Sequence, residues 1–294
     1  MVSLGLSEDG GALTAPARWW LGPPPPRAVT LLTRVLQLAV AALALTWVLG
    51  YLGGLGLSPR PLAGGGNDTG PIFNWHPLLL TAAFPLLMAE AVLAYKAPLV
   101  ERRDRDATKI YHFALHTAAL ACTIVGVTAA FVSHTAKRPD PIPNLYSVHS
   151  WLGLAVLTLL TLQYAVGAFS YLWPKLSLAQ RHALGPLHRF LGKAAFAGGI
   201  ATMAVGIQEK ATFVQAFNKP PSLHASILAL PAALVVLLLA LALAVLYHHA
   251  PAAVAPAPAS GEQERLIASA SSGGGGPAAA EGDHAQDYDD LHSA

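Results

Sequence analysis

Four long stretches without a charged residue constrain this chain more than any other feature. Residues 35–59, 110–136, 141–174 and 220–261 contain no Asp, Glu, Lys or Arg. A helix needs about 20 mainly apolar residues to cross a bilayer, and each stretch is longer than that. Charged residues make up only 12% of the chain, against about 25% in typical soluble domains. The sequence therefore excludes a soluble globular domain and predicts an integral membrane protein.

Helix breakers divide the apolar sequence into six transmembrane helices of an all-α protein. The bounds predicted from the apolar runs and from Gly and Pro are 30–52, 74–95, 109–131, 145–173, 185–207 and 223–247. Residues 1–29 are rich in proline, and residues 250–294 are rich in Ala, Pro, Gly and Ser. Neither segment carries enough apolar surface to fold alone, so both are predicted to be disordered.

The distribution of basic residues predicts the orientation of the six helices. An even number of helices places both termini on the same side of the membrane. With that arrangement, thirteen of the 18 Lys and Arg residues lie on the side of the termini and five on the other. Because basic residues are enriched in cytoplasmic loops, the sequence predicts cytoplasmic termini.

Four histidines recur at nearly equal intervals near the starts of the second to fifth helices. They are His76, His112, His149 and His188, separated by 36, 37 and 39 residues. Since successive helices run in opposite directions, His76 and His149 lie near the outer face, and His112 and His188 near the cytoplasmic face. Polar side chains inside a membrane are costly and usually functional. The topology therefore predicts two histidine pairs, each joining alternate helices.

A facing pair of imidazoles suits axial ligation of a haem iron between the helices of a bundle. Such a haem has no open coordination position and is suited to electron transfer. Zinc fits less well, because a tetrahedral site needs about four ligands close together. The single cysteine, Cys122, excludes an internal disulfide and a c-type haem attachment. The net charge of +2 gives no sign of a nucleic-acid partner.

Two other interpretations remain open from the residues alone. The chain could be a dihaem cytochrome b subunit of a quinone-linked complex, which would need a quinone pocket and partner subunits. It could also be a transporter or channel with histidines along its pathway. Histidines that only pack between helices are the structural alternative, and it is weakest for four residues at matched depths.

Several motifs resemble the cytochrome b561 family of transmembrane ascorbate-dependent oxidoreductases. The resemblance covers about residues 34–249. Its motifs lie at the histidines and at two helix exits: Phe73-Asn74-Trp75-His76-Pro77, Glu90-Ala91 with Ala94-Tyr95-Lys96, Lys109-Ile110-Tyr111-His112, the run from Asn144 to Gly153, Pro186-Leu187-His188, and Gly206-Ile207-Gln208-Glu209-Lys210.

The resemblance implies a specific fold and activity. Helices two to five would form a four-helix bundle around two b haems, held by His112 with His188 and by His76 with His149. Electrons would pass from cytoplasmic ascorbate to monodehydroascorbate or a ferric chelate on the other side. A homodimer is among the assemblies that the resemblance allows. His116 lies one helical turn after His112, and the motif selects His112 as the ligand.

The resemblance also implies residues that bind substrate. On the cytoplasmic side they are Lys109, Arg105 and Arg181, whose charges suit the ascorbate anion. The alternative interpretation is ordinary basic flanking of membrane helices. On the outer side, His134 follows the third helix and could take up a proton when ascorbate is oxidised.

A short motif in the C-terminal tail predicts the subcellular compartment of the protein. Glu262, followed by three residues and then Leu266-Ile267, fits the acidic dileucine pattern that vesicle-coat adaptors read in eukaryotes. The pattern is short, and chance matches are common. It favours an endomembrane such as a vacuole or a lysosome-like compartment over the plasma membrane.

Overall fold

Six helices in the described part of the chain are long and apolar enough to cross a membrane. The computed structural model describes residues 25–100, 104–220, 222, 225–250 and 265. The six helices are α1 (Arg27–Tyr51), α2 (Gly70–Leu93), α3 (Arg105–Thr135), α4 (Val148–Tyr171), α5 (Leu178–Asn218) and α6 (Ser226–Tyr247). The prediction of an all-α integral membrane protein with six helices is confirmed. Most of the segments predicted to be disordered, 1–29 and 250–294, lie outside the described residues.

Helices α1 and α2 each contain a π-helical turn. In α1 this turn is the last one, Thr46–Tyr51. Helix α2 consists of the α-helical turns Gly70–Phe73 and Trp75–Thr81, a π-helical segment Ala82–Met88 around Pro85, and the α-helical end Ala89–Leu93. Proline has no backbone N–H and clashes with the preceding turn, which disrupts regular α-helix. Such π-bulges often occur at functional sites.

The loop between α1 and α2 forms a small hairpin that the sequence analysis did not predict. Strands β1 (Arg60–Pro61) and β2 (Asn67–Asp68) pair antiparallel. Asn67 ties this hairpin to the end of α3, because its side-chain amide donates to the Ala136 carbonyl and its backbone N–H to the Arg138 carbonyl. The hairpin therefore lies at the end of the bundle where α3 ends.

Helix α5 is much longer than predicted, so the predicted bounds 185–207 were wrong. It begins after Ser177, whose hydroxyl accepts from the backbone N–H of Gln180, while the Gln180 side chain accepts from the backbone N–H of Ser177. This capping box starts the helix about two turns before Pro186, which lies inside it. Arg181 and the pair Glu209 and Lys210 are consequently helical residues.

Helix α3 also exceeds its prediction at both ends. Asp104 caps its start by accepting from the backbone N–H of Ala107 at 2.6 Å. His134 was predicted to lie in the loop after α3, but the structure places it in the last turn of that helix. Lys109 likewise lies in the second turn instead of at the start.

Helices α2 to α5 pack in a closed ring, with α2 against α3, α3 against α4, α4 against α5, and α5 against α2. Helices α1 and α6 pack against each other and cover one side of this ring through α2 and α5. The tightly packed apolar core lies mainly among α1, α2, α5 and α6. Helices α3 and α4 each contribute a single residue to it, Ala119 and Leu160.

Trp47 joins α1 to α6 inside this core. Its side chain is 1% exposed, and its indole N–H donates to the Ile227 carbonyl at 3.0 Å. A hydrogen bond to a carbonyl contributes more in an apolar setting than in water, because no solvent can replace it.

Replacing Trp47 by Phe is expected to destabilise the protein by about 1–3 kcal/mol, because it removes this bond and leaves a void. The thermal denaturation midpoint in detergent measures the effect. Trp173→Phe is the matched control, since Trp173 is 83% exposed. Equal midpoints for the two variants would contradict the role assigned to Trp47.

Candidate functional site

The structure brings the four histidines together as two pairs. The rings of His76 on α2 and His149 on α4 have centroids 5.9 Å apart, with their planes at 86°. The rings of His112 on α3 and His188 on α5 have centroids 6.5 Å apart, at 63°. Each pair therefore joins alternate helices of the ring α2 to α5, in the combination that the topology predicts.

A neighbouring helix engages the Nδ1 atom of each paired histidine. Three of these atoms lie against backbone carbonyls: His76 against Gly126 at 3.1 Å, His149 against Thr202 at 3.0 Å, and His112 against Ala91 at 2.7 Å. A carbonyl only accepts, so Nδ1 carries the proton and Nε2 keeps its lone pair in the neutral ring.

The fourth histidine, His188, has a side-chain partner in place of a carbonyl. The amide of Gln163 on α4 lies 2.9 Å from its Nδ1 and also bonds the backbone carbonyl of His188. An amide can turn its oxygen or its nitrogen toward a ring. In this structure the nitrogen of the Gln163 amide faces Nδ1 and donates to the His188 carbonyl, so Gln163 fixes the orientation of the His188 ring from α4.

The two pairs lie a fixed distance apart along the bundle. His112 and Gly126, the carbonyl partner of His76, are 14 residues apart on α3. The same interval separates His149 from Gln163 on α4, and His188 from Thr202 on α5. At 1.5 Å per residue, 14 residues span about 21 Å, within a hydrocarbon core of about 30 Å. The pairs thus lie toward opposite ends of the membrane-spanning helices.

Two glycines make room for the paired rings. A Cβ atom on Gly206 would lie 2.4 Å from Cε1 of His149, and one on Gly167 would lie 3.0 Å from Cε1 of His188. Real Cβ atoms do not approach carbon at 2.4 Å, so only glycine accepts the His149 ring as it lies. Close contact with the histidine rings therefore explains why these two positions on α4 and α5 are occupied by glycine.

The ring separations fit a metal ion held between two imidazoles. Metal–imidazole bonds are about 2 Å long, so rings on opposite sides of one ion have centroids about 6 Å apart. Both observed separations agree with this value. Within the part of the chain that the structure describes, no three His, Cys, Asp or Glu side chains could hold a metal ion together. Two ligands per site suit a haem iron, whose porphyrin supplies the other four, and do not suit zinc.

His116 lies beside one pair but has no partner of its own. Its ring centroid is 4.6 Å from that of His112, and its buried Nδ1 has no hydrogen-bond partner. The ring of His112 is the one found in edge contact with His188, and His112 stays the predicted ligand.

Basic residues and two tyrosines surround His112 and His188 at the end of the bundle where the chain termini enter, here called the termini end. The ring of Tyr95 lies 5.8 Å from His112, and that of Tyr171 lies 5.3 Å from His188. Burial raises the pKa of Tyr95 to about 12, so its phenol stays neutral. Arg105 and Arg181 both act electrostatically on Tyr171.

The predicted substrate residue Lys109 is already paired. Its Nζ lies 2.7 Å from Oδ1 of Asp106, whose side chain is 83% exposed. Lys175 and Arg105 also act on Asp106 electrostatically. Lys109, Arg105 and Arg181 thus belong to one basic region, which contains an acidic residue that the sequence analysis did not consider.

The opposite end of the bundle, here called the far end, places His134 one aromatic ring from His76. The Phe73 ring lies 5.7 Å from His76 and stacks on His134 at 6.3 Å, with only 9° between the planes. His134 Nδ1 lies 3.1 Å from Oδ1 of Asn144, so it donates there and leaves Nε2 unengaged by this bond. Lys210 Nζ lies 4.8 Å from the centre of the Phe73 ring.

Sequence reasoning missed several members of this far-end cluster. Tyr146 lies 6.3 Å from His134, and burial raises its pKa, with the nearby Glu209 raising it further. The sequence analysis gave Phe73 and Tyr146 only as parts of the motifs around His76 and His149, and Glu209 and Lys210 as a helix exit. The available signal was the direction of the helices, because the third and fifth helices end at the same end of the bundle and bring Glu209 and Lys210 near His134.

The fold and the site define a class: a six-helix membrane protein with two pairs of facing imidazoles between its helices. Comparison with known proteins agrees with that class. The sequence model of the family described as Eukaryotic cytochrome b561 matches residues 75–214. The chain belongs to the cytochrome b561 family and is a membrane-spanning oxidoreductase.

Curated relatives come from plants and animals. The chain is 38% identical over 187 residues to transmembrane ascorbate ferrireductase 2 of Arabidopsis thaliana, covering 64% of this chain and 76% of the relative. It is 40% identical over 177 residues to the plasma membrane ascorbate-dependent reductase CYBRD1 of Xenopus laevis, covering 60% and 58%. It is 39% identical over 143 residues to the lysosomal membrane ascorbate-dependent ferrireductase CYB561A3 of Mus musculus, covering 49% and 58%.

Adding a methyl group at Gly206 is expected to disturb one histidine pair and leave the other intact. In Gly206→Ala, the new Cβ displaces the His149 ring, so haem content should fall by up to one haem per chain. Gly153→Ala is the control, because its Cβ would make an ordinary contact at 3.7 Å. The haem-to-protein ratio measures both, and an unchanged ratio in Gly206→Ala would contradict the close contact.

Proposed function

We propose that this protein transfers electrons across a membrane, from ascorbate at the termini end to an acceptor at the far end. His112 and His188 would hold one b haem, and His76 and His149 a second. The observation that carries this proposal is the presence of two imidazole pairs about 21 Å apart along the helices. The names of the relatives support ascorbate as the donor.

The protein residues prepare each pair for ligation. A b haem bound by two imidazoles supplies one-electron transfer without an open coordination position. The carbonyls of Gly126, Thr202 and Ala91 hold three rings in the tautomer whose Nε2 can ligate. Gln163 orients the fourth ring, and the glycines at 167 and 206 allow both pairs to close.

At the termini end, the basic region binds the donor. Ascorbate is an anion at neutral pH, and Lys109, Arg105 and Arg181 would attract and orient it next to His112 and His188. These two are here called the inner pair, and the haem they would hold is the inner haem. Asp106 competes with the anion for Lys109, so binding would exchange that ion pair for one with substrate. The neutral Tyr95 and Tyr171 rings would line the approach to His112 and His188.

At the far end, His134 would serve the acceptor or the reverse reaction. Its bond to Asn144 fixes the ring, and Nε2 can then receive the proton released when ascorbate is oxidised. Phe73 would keep water away between His134 and His76. The acceptor is monodehydroascorbate or a ferric chelate, and Lys210 would favour either anion over a neutral acceptor.

Compartment, orientation and assembly are further parts of the proposal. We take the termini end as cytoplasmic on the basis of the basic residues, and the relatives include both plasma-membrane and lysosomal proteins. The acidic dileucine pattern at 262–267 favours an endomembrane, although it lies outside the described residues except for Arg265. A homodimer stays a prediction, as do the disordered segments 1–29 and 250–294.

Alanine at any of the four paired histidines should remove one of two haems. The remaining ligand and the apolar contacts cannot hold the group at full occupancy once one axial bond is lost. A pyridine haemochrome assay of the four single variants measures the stoichiometry, and His116→Ala is the control. If a paired-histidine variant kept two haems per chain, that residue would not be a ligand. If the wild-type protein bound no haem, the proposed function would be wrong.

Lys109→Ala and Arg181→Ala should slow reduction by ascorbate several-fold while both haems stay bound. Charge steering makes the loss larger at low ionic strength. Stopped-flow reduction at two salt concentrations measures the effect, with the exposed Arg27→Ala on the same side as the control. If both variants were reduced as fast as wild type at both salt concentrations, these residues would be ordinary flanking charges.

A further inference from the structure

A buried polar cluster joins α1 to α2, outside the ring of helices that holds the histidine pairs. Arg34 on α1 forms an ion pair with Glu90 on α2, and its guanidinium also donates to Gln37 at 2.9 Å. The Gln37 amide donates to Oε1 of Glu90 at 3.0 Å. Gln37 and Glu90 are 6% and 8% exposed, so these three residues form a cluster within the membrane-spanning part.

The cluster contacts the chain at three points, two in the second half of α2 and one just after its end. Gln37 donates to the Pro85 carbonyl in the π-helical segment at 3.2 Å. Arg34 donates to the Ala97 carbonyl, beyond the end of α2, at 2.6 Å. Between these points lies Glu90 itself. The backbone from 85 to 97 is therefore fixed from the side of α1.

The residue after Glu90 is the partner of a paired histidine. Ala91 accepts from Nδ1 of His112 at 2.7 Å, the shortest such bond among the four rings. The Ala91 carbonyl accepts a 3.3 Å bond from the backbone N–H of Ala94, and its second lone pair is available to the imidazole. Its direction depends on how α2 is held at this turn, which follows the π-helical segment around Pro85.

Stability alone does not account for the cluster. A buried ion pair seldom stabilises a protein more than apolar residues of the same size, and ionisable residues inside a membrane are costly. Oε2 of Glu90 is buried and has no hydrogen-bond partner, so the carboxylate is only partly satisfied. Such a cost is typical of residues that serve a functional site.

We propose that Arg34, Gln37 and Glu90 are positioning residues that hold the Ala91 carbonyl against His112 and thereby set the reduction potential of the inner haem. The inference rests on the proposed function. A strong hydrogen bond from Nδ1–H makes an imidazole a more basic ligand, which favours oxidised iron. Loosening the cluster should weaken this bond and raise the potential of that haem alone, because the partners of His76 and His149 lie on α3 and α5.

The test uses two variants of the full-length protein, Gln37→Leu and Arg34→Gln. The first changes no charge and removes the link between α1 and Pro85. The second leaves Glu90 unpaired, so a purely electrostatic effect of the negative charge would lower the potential. Positioning predicts an upward shift of the inner haem in both. Thr33→Val is the matched control, since Thr33 is fully buried on α1 and donates only to Val29 in its own helix.

Potentiometric titration followed by visible and EPR spectra measures the potentials of the two haems. The haem missing from His112→Ala identifies the inner one. Loss of only that haem in Gln37→Leu would also support the inference. No shift in Gln37→Leu, a downward shift in Arg34→Gln, or loss of both haems in either variant would overturn it. If His112→Ala and His188→Ala each kept two haems, the proposed function would fail instead, whatever the α1 variants show.

Discussion

The hydrogen bond at Nδ1 of each paired histidine is the interaction on which the site depends. In an apolar interior, a neutral imidazole must place its N–H on an acceptor, and no water is available to replace one. Backbone carbonyls of α2, α3 and α5 accept from three of the rings, and the side-chain amide nitrogen of Gln163 on α4 contacts the fourth. Each contact joins two helices, so helix packing and ring orientation are fixed by the same contacts.

These bonds also explain why the two pairs are so regularly placed. Helices α3, α4 and α5 each carry a histidine of one pair and, 14 residues away, the partner of a histidine in the other pair. A shift of one helix along its axis would therefore break bonds at both ends of the bundle. The shared interval keeps the two sites at one separation, which transfer of an electron across the membrane requires.

Helices α1 and α6 complete the apolar core and meet the bundle through its least regular helix. The π-helical segment of α2 contains Pro85, and the polar cluster of Arg34, Gln37 and Glu90 spans this segment and the turn after it. At the other end of α1, Trp47 bonds α6. The two outer helices thus hold the π-helical part of α2 next to the carbonyl that accepts from His112.

The sequence by itself determined the six membrane helices, because charge-free runs longer than the span of a bilayer leave no other fold class. The pairing of His76 with His149 and of His112 with His188 follows from the alternating direction of the helices. Helix ends were decided by local contacts: the capping box at Ser177 extended α5 past Pro186. Only the tertiary structure could place Phe73, Lys210 and Glu209 around His134, or join Arg34 to Glu90. These residues lie far apart in the chain, and their contacts depend on helix rotation and length, which hydrophobic periodicity does not define.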